Sequence, residues 1–299
     1  MTMPRQVLPG TTYLLSRRCT QRQFLLKPCK LTNIIVAYCM AVAAEKYEVL
    51  IHCVDVLSNH MHTTLTDTQG NIPDFMQYLH RLVGSCMNAS LGRWENFWAV
   101  EQPSLVRLED GEDVLRKMVY TMANAVSSYL VSHGHMWPGL CTRPEDLLKG
   151  EIEVPRPTVF FREDGNMPAV AKLKLTRPDI FPELSDEEFV ELLKERLEER
   201  EAEIRAEAKA TGKRFLGLRR LRRQRVTDTP LSHAPRRKLR PRVAAVNKWR
   251  RIEALQRLKE FIAAYREAWL RWKQGFTDVV FPRGTYAMAK YAAVRCAPR

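Results

Sequence analysis

No stretch of the chain approaches the roughly 18 consecutive apolar residues that a membrane-spanning helix needs, so no membrane partner is expected. The opening residues, "MTMPRQVLPG", lack an apolar signal core, which points away from secretion and toward the cytoplasm. The seven cysteines, at 19, 29, 39, 53, 86, 141 and 296, are odd in number and never stand in Cys-x-x-Cys spacing. Free thiols in a reducing compartment fit that scatter better than a disulfide frame or a zinc knuckle. There is no Gly-rich phosphate loop and no internal repeat, which removes nucleotide-driven motors and solenoids from consideration.

Negative charge is nearly missing from one segment. Residues 213–251 hold fifteen Lys and Arg against one acid, Asp228, and so carry the whole net charge of +14. Such a block repels itself and seeks a polyanion, most commonly nucleic acid; a solvated tail is the competing reading. Across 299 residues, 45% apolar content suffices for one sizeable core and a second, smaller body.

The pattern along the first half alternates between strand and helix. "TTYLLSRRCTQRQFLL" (11–26) begins as a strand, and 31–47 is long and apolar enough for a helix. "YEVLIHCVDVL" (47–57) is β-branched and apolar, a central strand. Ser58-Asn59 then supplies turn chemistry, and "HMHTTLTD" returns as its partner. A helix is expected over 71–92, capped by Asp74 or Asn71 and closed by Gly92. A further strand lies within 95–110, and a third helix over 112–131. This order predicts an α+β fold, a ferredoxin-like split βαβ antiparallel sheet with helices on one face.

Beyond Leu140 the reading is looser. A proline-punctuated stretch offers a hairpin around Asp164-Gly165. Ser185 caps a strong helix over 185–212, the basic block is helical around "RFLGLRRLRRQR", and 246–275 forms a final amphipathic helix. On that last helix Trp249, Leu255, Leu258, Ile262, Tyr265 and Trp269 share a face, which favours packing over base stacking. The division is 1–140 as a core, 141–184 as a Pro-rich connector, and 185–299 as a helical, basic nucleic-acid-binding region.

Two places offer chemistry. His60 and His62 flank Met61 in a strand, so both imidazoles leave one face, about 6.5 to 7 Å apart along the chain. Held by a central sheet, they could ligate a divalent metal, or they could be two polar residues on a wet face. In "KMVYTMANAV" Tyr120 and Asn124 lie four apart on a helix with Lys117 one turn earlier. Tyr120 could attack a phosphate polarised by a cation, Asn124 could complete a metal set, and Lys117 could steady a phosphate. Packing at a sheet edge is the ordinary alternative for Tyr120. His133 and His135 form a second His-x-His, but glycine between them suggests a loop too soft for a metal site. His52 reads as a satisfied core histidine or a support to the metal site. Tyr78 and Tyr129 lack an Asn four residues on.

Taken together, these motifs resemble the HUH (His-hydrophobe-His) single-tyrosine transposases. "SNHMH" is similar to their pNHxH signature, and "VYTMANAVSSYLV" with "MWPG" resembles the YxxxNPVxxgLV and WPG segment of the REP-associated tyrosine transposase branch. "TTYLLSRRCTQRQFLL" resembles that family's opening strand, so the likeness covers about 10–140. It implies a nuclease core that binds Mg²⁺ or Mn²⁺ and cleaves single-stranded DNA beside a hairpin. His60 and His62 would be metal ligands, Asn124 the third ligand, and Tyr120 the nucleophile of a 5′-phosphotyrosyl link. The tyrosine could act in its own subunit or across a homodimer, and the protein would be nucleoid-associated. Where the family has proline after the motif's Asn, Ala125 stands here, which should relax the helix. A relative that grips structured nucleic acid without cutting it is the alternative. In either case Arg219, Arg220, Arg222, Arg223, Arg225, Arg236 and Arg237 would contact phosphates.

Overall fold

The computed structural model describes residues 3–232 and 241–298. Its centre is built from β1 (Thr11–Arg18), α1 (Lys30–Tyr47), β2 (Val49–Leu57), β3 (His60–Asp67), α2 (Ile72–Ser90) and β4 (Ser104–Leu108). The strands lie in the order β2-β3-β1-β4, each antiparallel to its neighbour, as a split βαβ requires. Leu57 pairs with His60, so Ser58 and Asn59 make the two-residue hairpin turn. The Asp67 carboxylate accepts the backbone N–H groups of Gly70, Asn71 and Ile72 at 2.9, 3.0 and 3.0 Å, fixing where α2 starts. Neither Asn71 nor Asp74 makes that cap.

Alternation along the strands sorts their side chains. Tyr13, Leu15, Val54, Val56, Met61 and Leu65 pack against α1 and α2. Leu14, Cys53, Val106 and Leu108 point the other way, onto α3 (Gly111–Met122) and α5 (Asp186–Ala210). The expectation of helices on one face therefore holds for α1 and α2 and fails for α3, because the strands bury apolar residues on both faces. A β-bulge between Ile51 and Cys53 leaves His52 as the extra residue. The shift puts Asp55 on the same face as His62.

The expected helix over 112–131 is two pieces. It leaves helical geometry at Ala123 and resumes as the single turn α4 (Asn124–Ser127). The break occurs without a proline, so Ala125 has not straightened this segment.

The remaining elements also pack on this centre. The strand pair β5 (Glu151–Pro155) and β6 (Val170–Lys174) covers the outer side of α1, with 164–165 in the loop between them. Ser185 and Glu188 form the capping box of α5. After α6 (Leu218–Arg223) comes β7 (Val243–Ala244), which joins the central sheet parallel to β4. α7 (Lys248–Lys273) turns Ala254, Phe261 and Ala268 inward. Of the face expected to pack, Tyr265 and Trp269 lie against the Ala268, Val279 and Phe281 cluster and Leu258 and Ile262 are half-buried, while Trp249 at 74% and Leu255 stay exposed. The three buried positions recur every seven residues, a large Phe261 between two alanines, so one narrow stripe of the helix faces inward. At the end of the chain Tyr286 donates to Asp74 at 2.5 Å, tying the tail to α2. No described helix is long and apolar enough to cross a membrane.

Candidate active site

β3 presents His60 and His62 from one face, with ring centroids 4.9 Å apart and planes near perpendicular. Each imidazole has its Nδ1 engaged. Asn59 donates its Nδ2 to the Arg22 carbonyl at 3.2 Å, which turns Oδ1 toward His60 Nδ1 at 2.6 Å. His60 Nδ1–H therefore donates, and Nε2 keeps its lone pair. Ser16, opposite His62 on β1, bonds its Nδ1 at 2.6 Å and leaves Nε2 open. Burial, with the positive charge of Arg18 nearby, holds His60 down to about 4 and His62 to about 3. Both rings are neutral near pH 7, the form that ligates metals.

Asn124 opens α4 and brings its amide Nδ2 to 3.3 Å from His60 Nε2. Tyr120, one turn earlier on α3, stacks edge-on to His62 with centroids 5.5 Å apart and is 44% exposed. Lys117 lies over the ring of that phenol, its Nζ 5.2 Å from the ring centre. Burial and the charge of Asp55 push the Tyr120 hydroxyl up, and burial lowers Lys117. The helix break thus keeps Asn124 within reach of the histidines while Tyr120 remains accessible. The four residues read as ligands and nucleophile are gathered from two strand positions, a helix end and a single turn.

A groove of about 1030 Å³ opens at His60. Arg18, Arg22, Arg214 and Arg220 line it, along with Tyr129 and the segment from Thr227 to Ser232. Of the arginines singled out in the basic block, only Arg220 is on this wall among the described residues. Arg219, Arg222, Arg223 and Arg225 are exposed and lie off the lining. Arg236 and Arg237 lie outside the described residues.

The rival histidines do not join the site. His133 and His135 sit on a short loop turn with centroids 5.4 Å apart, His133 bonding Ser132. His52 is fully buried, its two nitrogens bonded to the Thr176 carbonyl at 2.7 Å and Thr66 Oγ1 at 2.8 Å. Among the described residues, no three His, Cys, Asp or Glu side chains come together as a metal set. The polar side chain beside the two imidazoles is the Asn124 amide, with its nitrogen toward His60 Nε2.

Sequence reading missed Ser16, Arg18, Arg22, Arg214 and Asp55. Ser16 becomes visible only once the register of β1 on β3 is known. Asp55 left a signal, a lone carboxylate inside the apolar run "YEVLIHCVDVL".

No protein-family model matches the chain, and no curated protein does. Solved structures do. One is a REP-associated tyrosine transposase bound to a REP hairpin, with 16% identity and a TM-score of 0.41 over 55% of this chain and 93% of that one. Another is a candidate transposase from Deinococcus radiodurans R1, with 18% identity and a TM-score of 0.29 over 36% of this chain and 85% of that one.

Proposed function

We propose that the chain is a metal-dependent DNA strand transferase of the HUH single-tyrosine type, acting on single-stranded DNA beside a hairpin. The observation that supports this is the meeting of Tyr120 with His60, His62 and Asn124, with an arginine-lined groove opening at His60. Two neutral imidazoles with their Nδ1 atoms committed, and an amide beside them, fit a divalent cation. Imidazole nitrogen suits Mn²⁺, while Mg²⁺ would lean more on water and phosphate oxygens. Held by His60, His62 and Asn124, such an ion supplies Lewis-acid polarisation of the scissile phosphate.

The chain's own residues do the rest. Arg18, Arg22, Arg214 and Arg220 hold backbone phosphates and lead the strand past His60. The Tyr120 oxygen attacks phosphorus and loses its proton to solvent. The bond to the 3′ oxygen breaks, and that oxygen takes a proton to become a free 3′-OH. A 5′-phosphotyrosyl link results, and attack by a 3′-OH reverses it, so no ATP is consumed. Tyr120 stacks on His62 of its own chain, which supports a tyrosine acting in cis over one acting across a homodimer.

The test is incubation with a labelled hairpin oligonucleotide in Mn²⁺, followed by denaturing electrophoresis. Unsubstituted protein gives a covalent adduct, and Tyr120→Phe gives none while still binding the hairpin. Free 5′-phosphate ends without adduct would replace this reading with metal-assisted hydrolysis. Hairpin binding that persists in EDTA, with no scission in either metal, would leave a binding protein.

A further inference from the structure

Asp55 stands in the middle of β2, fully buried among neighbours that are all buried from Ile51 to Leu57. An apolar strand gains nothing from a carboxylate there, and burying an unpaired charge costs several kcal/mol. Neither oxygen makes a hydrogen bond of full geometry, and no ion pair reaches Asp55 among the described residues. The bulge at His52 is what sets it opposite His62, facing α3 and α4. Burial pushes the Asp55 carboxyl up to about 7, and the Cys141 thiol, the Asn124 amide and the Val56 N–H, which favour its charge, offset that only in part. Tyr120 in turn feels that charge.

We infer that Asp55 is a positioning residue for the cation site: it accepts the amide nitrogen of Asn124, so that Oδ1 of Asn124 turns toward the point faced by His60 Nε2. This rests on the metal-dependent reading above. It answers two questions that reading leaves open. As the side chain stands, Asn124 aims its amide nitrogen at His60 Nε2, and an amide NH2, its lone pair delocalised into the carbonyl, does not ligate a cation. The set His60, His62 and Asn124 is also uncharged, and Asp55, paired with His62 across β2 and β3, is an acid that a bound cation would hold in its charged form. Asp55 is not itself a ligand, since no three His, Cys, Asp or Glu side chains converge among the described residues. Carboxylates that orient a ligand in this way typically change metal affinity 10–100-fold.

The experiment is Mn²⁺ titration of the full chain without DNA, with free Mn²⁺ read by electron paramagnetic resonance and folding read by thermal melting. Asp55→Asn should weaken Mn²⁺ binding about tenfold and leave the melting temperature equal or higher, because a buried charge is gone. Asp55→Ser serves the same purpose if the first variant does not fold. Because Asp55 acts through Asn124, the double variant with Asn124→Ala should bind Mn²⁺ no more weakly than Asn124→Ala alone. Unchanged affinity in folded Asp55→Asn, or additive losses in the double variant, would overturn the inference and leave the metal reading standing. Absence of Mn²⁺ uptake by the unsubstituted chain would overturn both.

Discussion

Ser16 and Asn59 decide which nitrogen each imidazole offers. Each takes the Nδ1 of one histidine at 2.6 Å, so the Nε2 atoms are the only ring nitrogens left to ligate. Ser16→Ala and Asn59→Ala should therefore each weaken Mn²⁺ uptake about tenfold while the chain stays folded, which calorimetric titration would show. Unchanged uptake in both would mean that the tautomers are set by something else. At this scale the sequence was partly legible. His60, His62, Tyr120 and Asn124 could be named because their spacing is local, two along a strand and four along a helix. Ser16 could not, because its role comes from a cross-strand register over 46 residues. Asp55 could not be aimed at the site because the bulge that turns it is invisible in composition.

At the scale of elements, the "WPG" segment shows why a glycine is required. Trp137 is buried and donates its indole N–H to the Val56 carbonyl at 3.1 Å, while Leu140 and Thr142 pair along β2. A Cβ on Gly139 would stand 2.8 Å from the Val56 oxygen and collide with the indole. Gly139→Ala should cost roughly 1–3 kcal/mol of stability, measured by urea unfolding, since neither backbone nor ring can give way easily. A variant as stable as the parent would show that this strand edge is more pliable than its hydrogen bonds suggest. Element types were largely readable from periodicity. Two features were not. The break at Ala123 has no glycine or proline to announce it, and two of the three buried positions of α7, Ala254 and Ala268, are small residues that hydrophobic counting undervalues.

For the whole molecule, charge and burial make two further predictions. Among the described residues, four arginines line the groove against one acid, Asp228, and the Arg22 guanidinium donates to Ser232, so phosphates can claim them. Arg18→Ala and Arg220→Ala should each lower the slope of log affinity against log salt by ~0.7 for a single strand. Arg257→Ala, whose guanidinium pairs with Glu109 at the other end of the sheet, should not. Filter binding across a salt series distinguishes these outcomes, and equal slopes for all three would separate the groove from DNA binding.

Acid stability is the second. Burial holds His52 down to about 4 from an ordinary 6.5. The folded chain then binds fewer protons than the unfolded chain between those values, so stability falls as pH drops through that window. His52→Gln can keep both hydrogen bonds without titrating, and should flatten the fall by about one proton between pH 6.5 and 4 in urea unfolding. An unaltered pH profile would contradict a neutral, buried His52. The basic block pointed to a polyanion from composition alone, but which arginines face the histidines depends on how the C-terminal segments fold back. Among the described residues, only Arg220 was both named from sequence and found on the groove wall.

The central claim is that Tyr120 is the atom donor of a covalent link to DNA, and the most direct measurement is to map that link. Unsubstituted protein is reacted with a hairpin oligonucleotide in Mn²⁺, digested with nuclease and protease, and the modified peptide is sequenced by mass spectrometry. The account predicts a nucleotide phosphate mass on Tyr120 and on no other residue. A modification on Tyr78 or Tyr129, or complete strand cleavage with every tyrosine unmodified, would contradict it.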